Sequence, residues 1–140
     1  MTDEEILVHI EDNPAHADLI RRQLTRTRPG LKIVHLADGD AALHYLMHRL
    51  PQDAAPKLIL LDLRLPKVDG IEVLRQLKEH PELRRLPVVV LSTSSARKDL
   101  VDAYRHGANS YLVKPLEFEP FREMIEALCH FWFGWNIKPA

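Results

Sequence analysis

The stretch 58–77, LILLDLRLPKVDGIEVLRQL, decides the fold. Its first four residues, Leu58-Ile59-Leu60-Leu61, are a continuous apolar run of strand length. Such a run fits a strand covered on both faces, since a half-exposed strand would alternate apolar and polar positions. The run ends on a carboxylate, Asp62, and a loop through Pro66 leads to Asp69-Gly70. Asp69 is placed to cap a helix whose buried stripe is Val73, Leu74 and Leu77, because an N-cap oxygen accepts from the unpaired amides of a first helical turn.

The same alternation continues in both directions. Upstream, Ile6–Ile10 is a strand-length run followed by Glu11-Asp12-Asn13-Pro14. Asp12 or Asn13 can cap a helix that takes Pro14 in its first turn, where a missing amide costs nothing. That helix runs to about Thr27 on a stripe of Ala17, Ile20 and Leu24, and Pro29-Gly30 stops it. Lys32–Leu36 reads as a second strand, and Asp38-Gly39-Asp40 opens a helix bearing Ala42, Leu43, Leu46, Met47 and Leu50. Pro51 through Pro56 is a loop. Downstream, Pro87 precedes a fourth buried strand, Val88–Leu91, and Ser92–Ala96 is a polar loop. A helix then runs to His106 with Gly107 as its C-cap. Ser110–Val113 is a fifth strand, closed by Lys114-Pro115, and Phe118–Phe131 is the last helix. The expected fold is α/β: a doubly wound five-stranded parallel sheet, flavodoxin-like strand order 2-1-3-4-5, helices on both faces.

The 140 residues suffice for one domain with its own core. With 19 basic and 20 acidic residues the net charge is −1, so the basic excess that phosphate neutralisation demands of a nucleic-acid binder is missing. A single cysteine, Cys129, excludes an internal disulfide and suits a reducing compartment. The acidic start, Met1-Thr2-Asp3-Glu4-Glu5, is unlike a signal peptide, and no apolar stretch is long enough to span a membrane. The expectation is a cytoplasmic protein with no direct nucleic-acid or membrane partner.

Sheets of this kind bind ligands outside the C-terminal ends of their strands. Those ends carry Glu11 and Asp12 after the first strand, Asp62 after the third, Ser92 after the fourth and Lys114 after the fifth. Singly, each has an ordinary explanation: Asp12 as a helix cap, Ser92 as a loop hydroxyl, Lys114 as a solvated charge. What sets them apart is their distribution over four strand ends that the fold brings to one edge. Three converging carboxylates must protonate or share a cation, and hard oxygen ligands suit Mg2+. A carboxylate so placed can attack phosphorus to give an aspartyl phosphate, with Mg2+ and Lys114 neutralising the phosphoryl oxygens.

Four segments, in order, resemble the receiver domains of bacterial response regulators. Ile6 through Asn13 is similar to the family's first strand and acidic pair, and Leu60 through Gly70 to its phosphorylation segment. Pro87 through Ser92 is similar to the strand ending in a switch Ser/Thr, and Gly107 through Pro115 to the final strand with its aromatic and Lys-Pro. The resemblance implies Asp62 as phosphoacceptor, with Mg2+ (or Mn2+ or Ca2+ in its place) bound by Asp12, by Glu11 through water, by Asp62 and by the backbone carbonyl of Arg64. It implies Ser92 and Lys114 as phosphoryl ligands, with Thr93 the lesser candidate beside Ser92. Tyr111 becomes the aromatic whose rotamer follows Ser92, Lys114-Pro115 a cis bond, and Asp69-Gly70 a structural pair.

The stretch Phe131-Trp132-Phe133-Gly134-Trp135 holds more aromatics than a small sheet needs to cover. It resembles the end of single-domain regulators paired with bacterial phytochrome kinases. Residues 1–130 are then the receiver and 131–140 an aromatic extension, with Phe131, Trp132, Phe133 and Trp135 expected as an interface arm. The implied partners are a sensor histidine kinase of phytochrome type and a second copy joined through the last helices and the tail. With no room for an output domain in 140 residues, the signal would pass to partner proteins or along a relay. A Mg2+-dependent phosphohydrolase using Asp62 as nucleophile is the alternative, but Arg64 stands where its general acid belongs. A flavin site is disfavoured because Glu11-Asp12 would repel phosphate. His44 and His48 lie one helical turn apart without a third zinc ligand.

Overall fold

The computed structural model describes residues 4–49 and 55–137. Five strands, β1 (Ile6–Ile10), β2 (Lys32–Leu36), β3 (Leu58–Leu61), β4 (Val88–Ser92) and β5 (Ser110–Val113), form one sheet in the order β2-β1-β3-β4-β5. Every pairing is parallel, with Val8 flanked by Val34 and Ile59, and Leu61 beside Val90. The helices are α1 (Pro14–Thr27), α2 (Gly39–His48), α3 (Gly70–Glu79), α4 (Arg97–Arg105) and α5 (Phe118–His130). The fold is the flavodoxin-like one expected.

Alternate side chains along the strands feed two cores. Ile6, Val8, Ile10, Ile59, Leu61, Val88 and Val90 pack with Leu43 and Leu46 of α2 and with Val73, Leu74 and Leu77 of α3. Leu7, Leu58, Leu60, Val89 and Leu91 pack with Ile20 and Leu24 of α1 and with Phe121, Ile125 and Leu128 of α5. At ~1.5–3 kcal/mol for each large apolar side chain buried, this covering outweighs every other local preference and explains why β3 reads as an unbroken apolar run and why β1 and β4 are apolar but for the buried His9 and the terminal Ser92.

Local chemistry sets where the helices begin. Asn13, not Asp12, caps α1: its Oδ1 accepts from Ala15 N at 2.9 Å and His16 N at 3.1 Å. Asp38 caps α2 by accepting from Ala41 N at 2.7 Å. Asp69 stands at the start of α3 but makes no side-chain capping bond, against the expectation. The turn is held through backbone and close approach instead. Gly70 N donates to Leu63 O at 3.1 Å, and a Cβ on Gly70 would lie 2.5 Å from both Asp62 O and Leu63 Cα. Only glycine fits there. Gly107 takes φ 99° after α4, the left-handed conformation that ends a helix.

Two further expectations change, and one falls on residues that are not described. The Lys114–Pro115 bond is trans, as are all peptide bonds among the described residues, the isomer an X–Pro amide favours by ~0.5–1 kcal/mol. The position Leu50 expected on α2, and the loop from Pro51 to Ala54, lie outside the described residues. At the other end α5 closes at His130, and Phe131–Trp135 winds wider, with Asn136 N donating to Phe131 O at 2.7 Å. This turn splits the aromatics. Phe133 is buried in the core beneath α1 and α5 with the Arg28 guanidinium 5.7 Å from its ring, and Trp132 packs partly against the same core. Phe131 is half exposed and Trp135 is 81% exposed.

Candidate functional site

Because β1, β3, β4 and β5 run parallel, their C-terminal ends share one edge. Glu11 and Asp12 follow β1, Asp62 follows β3, Ser92 ends β4 and Lys114 follows β5. Backbone bonds tie these ends together: Asp62 N donates to Ile10 O at 3.0 Å and Lys114 N to Ser92 O at 2.7 Å. Carboxylate oxygens of Glu11, Asp12 and Asp62 lie within 4.8 Å of one another. Asp12 is exposed, while Glu11, Asp62, Ser92 and Lys114 are all buried. The Lys114 ammonium bonds the Glu11 carboxylate and reaches Asp62 Oδ2 at 3.5 Å. Asp62 Oδ1 accepts from Arg64 N at 3.0 Å, which fixes residue 64 against it.

One ammonium faces three carboxylates, and the electrostatics follow. Burial and the neighbouring Asp62 push the Glu11 carboxyl up to about 7, against the pull of Lys114. Beneath the cluster, burial holds His9 neutral with its value down at about 3. Such a site is short of positive charge. Its donor set is all oxygen, gathered closely enough for one small cation to be shared among the carboxylates directly or through its waters. The residues therefore fit a small hard divalent cation.

A second set surrounds the edge. Ser92 is fully buried, and its Oγ accepts from Ser94 N at 3.2 Å. Tyr111 is packed into the core and its hydroxyl donates to Ser94 O at 2.8 Å. Ser94 thus joins the two expected switch residues. Its own hydroxyl donates to Asp99 of α4, which also takes the Arg64 guanidinium at 3.1 Å. Thr93 is exposed and lines a cavity of about 240 Å3 together with His16, Leu19, Lys114, Pro115 and Phe118. The tail aromatics are not among the residues of the edge.

Sequence reasoning missed His16 and Asp99. His16 Nδ1 stands 3.2 Å from Lys114 Nζ and 3.8 Å from Glu11 Oε1. The signal for His16 was available, because the first turn of a helix that starts at the active edge must carry one side chain back over it. For Asp99 there was none, since its contacts depend on the path of the loop at 93–96.

Residues 6–126 match the response regulator receiver domain family. The chain belongs to that family. As a receiver domain it is 49% identical over 139 residues to the probable methanogenesis regulatory protein FilR2 of Methanothrix harundinacea, covering 99% of this chain and 90% of the relative. It is 35% identical to the response regulator Rcp1 of Synechocystis, covering 100% of this chain and 99% of the relative. The structure of Mn2+-bound Rcp1 superposes with a TM-score of 0.88 over 97% of this chain and 99% of that one. The phosphorylated cyanobacterial phytochrome response regulator RcpA gives 0.91 at 34% identity, over 99% of this chain and 100% of that one. The receiver is thus homologous to phytochrome-associated response regulators, and its acidic cluster suits a divalent metal. The phosphohydrolase alternative is not favoured. No described helix is long and apolar enough to cross a membrane.

Proposed function

We propose that Asp62 accepts a phosphoryl group from the phosphohistidine of a sensor histidine kinase of phytochrome type, with Mg2+ as the cation. The carrying observation is the meeting of Asp62 with two further carboxylates and a buried lysine at one sheet edge. An Asp62 carboxylate oxygen forms the new P–O bond while the donor's P–N bond breaks, and the electron pair leaves with the imidazole. Lys114 counters the charge on the equatorial oxygens, and the Ser92 hydroxyl donates to one of them. Glu11, Asp12, Asp62 and the Arg64 carbonyl would hold Mg2+ (Mn2+ or Ca2+ can take its place), which supplies further charge neutralisation.

The phosphorylated domain then acts as a switch read by partner proteins, without catalysing turnover of another molecule. It works in the cytoplasm and without direct nucleic-acid contact. Residues 1–130 form the receiver, and 131–140 form an arm in which Phe131, Trp132 and Trp135 join a second copy while Phe133 anchors the arm to its own core. Similarity to Rcp1 and RcpA supports the choice of kinase class. The test is phosphorylation by a small phosphodonor with Mg2+, followed by transfer from candidate kinases. Wild type becomes labelled and Asp62→Asn does not; equal labelling of both would sink the assignment.

A further inference from the structure

Lys114 has a third partner that the acidic cluster does not explain. An ammonium carries three donors and no acceptor. Two of its directions go to Glu11 and Asp62, and the third goes to His16 Nδ1 at 3.2 Å. A ring nitrogen in that position must offer its lone pair, so the proton sits on Nε2. His16 is also held firmly. Its backbone amide is one of the two that Asn13 Oδ1 accepts from, which fixes the first turn of α1 where the side chain departs. The ring is 42% exposed, so it closes one side of the lysine pocket without being needed by the core.

A neutral partner does what a carboxylate cannot. Glu11 and Asp62 orient the ammonium but also cancel its charge, whereas an imidazole orients it and leaves the charge available. Glu11 is also one of the oxygens that a divalent cation would take, which loosens its hold on Lys114. We propose that His16 is a positioning residue for Lys114, a neutral acceptor that keeps the ammonium aimed at the place where phosphoryl oxygens gather. This rests on Asp62 being the phosphoacceptor.

The experiment uses the purified full chain, acetyl phosphate and Mg2+, and follows Asp62 phosphorylation with time. No kinase is present, so docking effects do not enter. In His16→Leu the rate at saturating donor falls about tenfold, the scale of a modest misalignment of a charged group. The Mg2+ affinity, set by oxygen ligands that do not include the ammonium, stays within about twofold. His16→Asn recovers most of the rate, because Asn Oδ1 occupies the place of Nδ1 and can accept the same bond. In a Lys114→Ala background His16→Leu has no further effect. A wild-type rate in His16→Leu overturns the inference, as does an Asn variant no better than Leu, or an undiminished loss in the Lys114→Ala background. Absence of labelling in wild type removes the phosphoacceptor reading itself and this inference with it.

Discussion

The two ends of β1 carry two charge clusters of opposite character. Before the strand, the Glu5 carboxylate accepts from Nε and Nη2 of the Arg28 guanidinium, Nη2 to Oε2 at 3.0 Å, and from Lys57 Nζ at 3.2 Å. Two cations share one carboxylate, and the Arg28 hydrogen bond, ahead of Lys57, holds Glu5 below its ordinary value despite some burial. After the strand, Glu11, Asp12 and Asp62 crowd one lysine, and Glu11 is pushed the other way. The first cluster is complete and ties the end of α1 and the approach to β3 onto β1. The second is incomplete, and that makes it a site: a fold tolerates repelling carboxylates where a cation and a phosphoryl group are to come and go. The difference lies in stoichiometry and burial, since both clusters are built from carboxylates and side-chain cations.

Four experiments would break this contrast or sharpen it. The largest effect belongs to Asp12→Ala, which removes an acidic oxygen from the edge and should weaken Mg2+ binding at least ~10-fold by titration calorimetry. Next, Mg2+ at ten times its dissociation constant should stabilise wild type by ~1.4 kcal/mol, a rise of ~3–6 °C in Tm for a chain this size. A chelator should abolish that rise, and Asp12→Ala should keep at most ~0.4 kcal/mol of it at the same concentration. Third, in chelator, Asp62→Asn should stabilise the protein by ~1 kcal/mol in urea unfolding, since it relieves like-charge repulsion while Arg64 N keeps its acceptor; destabilisation would mean that the cluster is not short of cations. The smallest effect is Glu5→Gln, a loss of ~0.5–1 kcal/mol at pH 7. Glu5 has a depressed folded value, so its contribution is full above the unfolded value of 4.5 and fades as pH falls below it. Wild type and Glu5→Gln should therefore converge in stability toward pH 3, and a gap that persists there would rule out the ion pair as its cause.

Much of this was legible in the residues. The strands that matter most are buried on both faces, so their apolar runs could not be mistaken for alternating strands, and each run stops at the residue that carries the chemistry. Asp62 and Lys114 were therefore readable as strand-end residues before any side chain was placed. What the chain order does not encode is the direction of a cap or a loop. Asn13 and Asp12 are both competent N-caps, and the choice of Asn13 is what leaves Asp12 free for the edge. Asp69 looked like a cap, yet the tight seat of Gly70 against Asp62 O closes that turn through the backbone. The tail divided for a similar reason. Four aromatics in five residues announce burial or contact, but only the wide turn after α5 decides that Phe133 goes inward and Trp135 outward.

That turn also gives the molecule an optical property. Its two tryptophans, Trp132 and Trp135, are the only ones in the chain, and both lie beyond α5. One is part-buried and the other bare, so the intrinsic emission excited at the red edge comes entirely from this short segment, with a blue and a red component. A second molecule closing over the tail would dry Trp135 and shift the red component, while the sheet edge contributes no tryptophan signal of its own. The protein carries its own fluorophore at the place where its partner is expected.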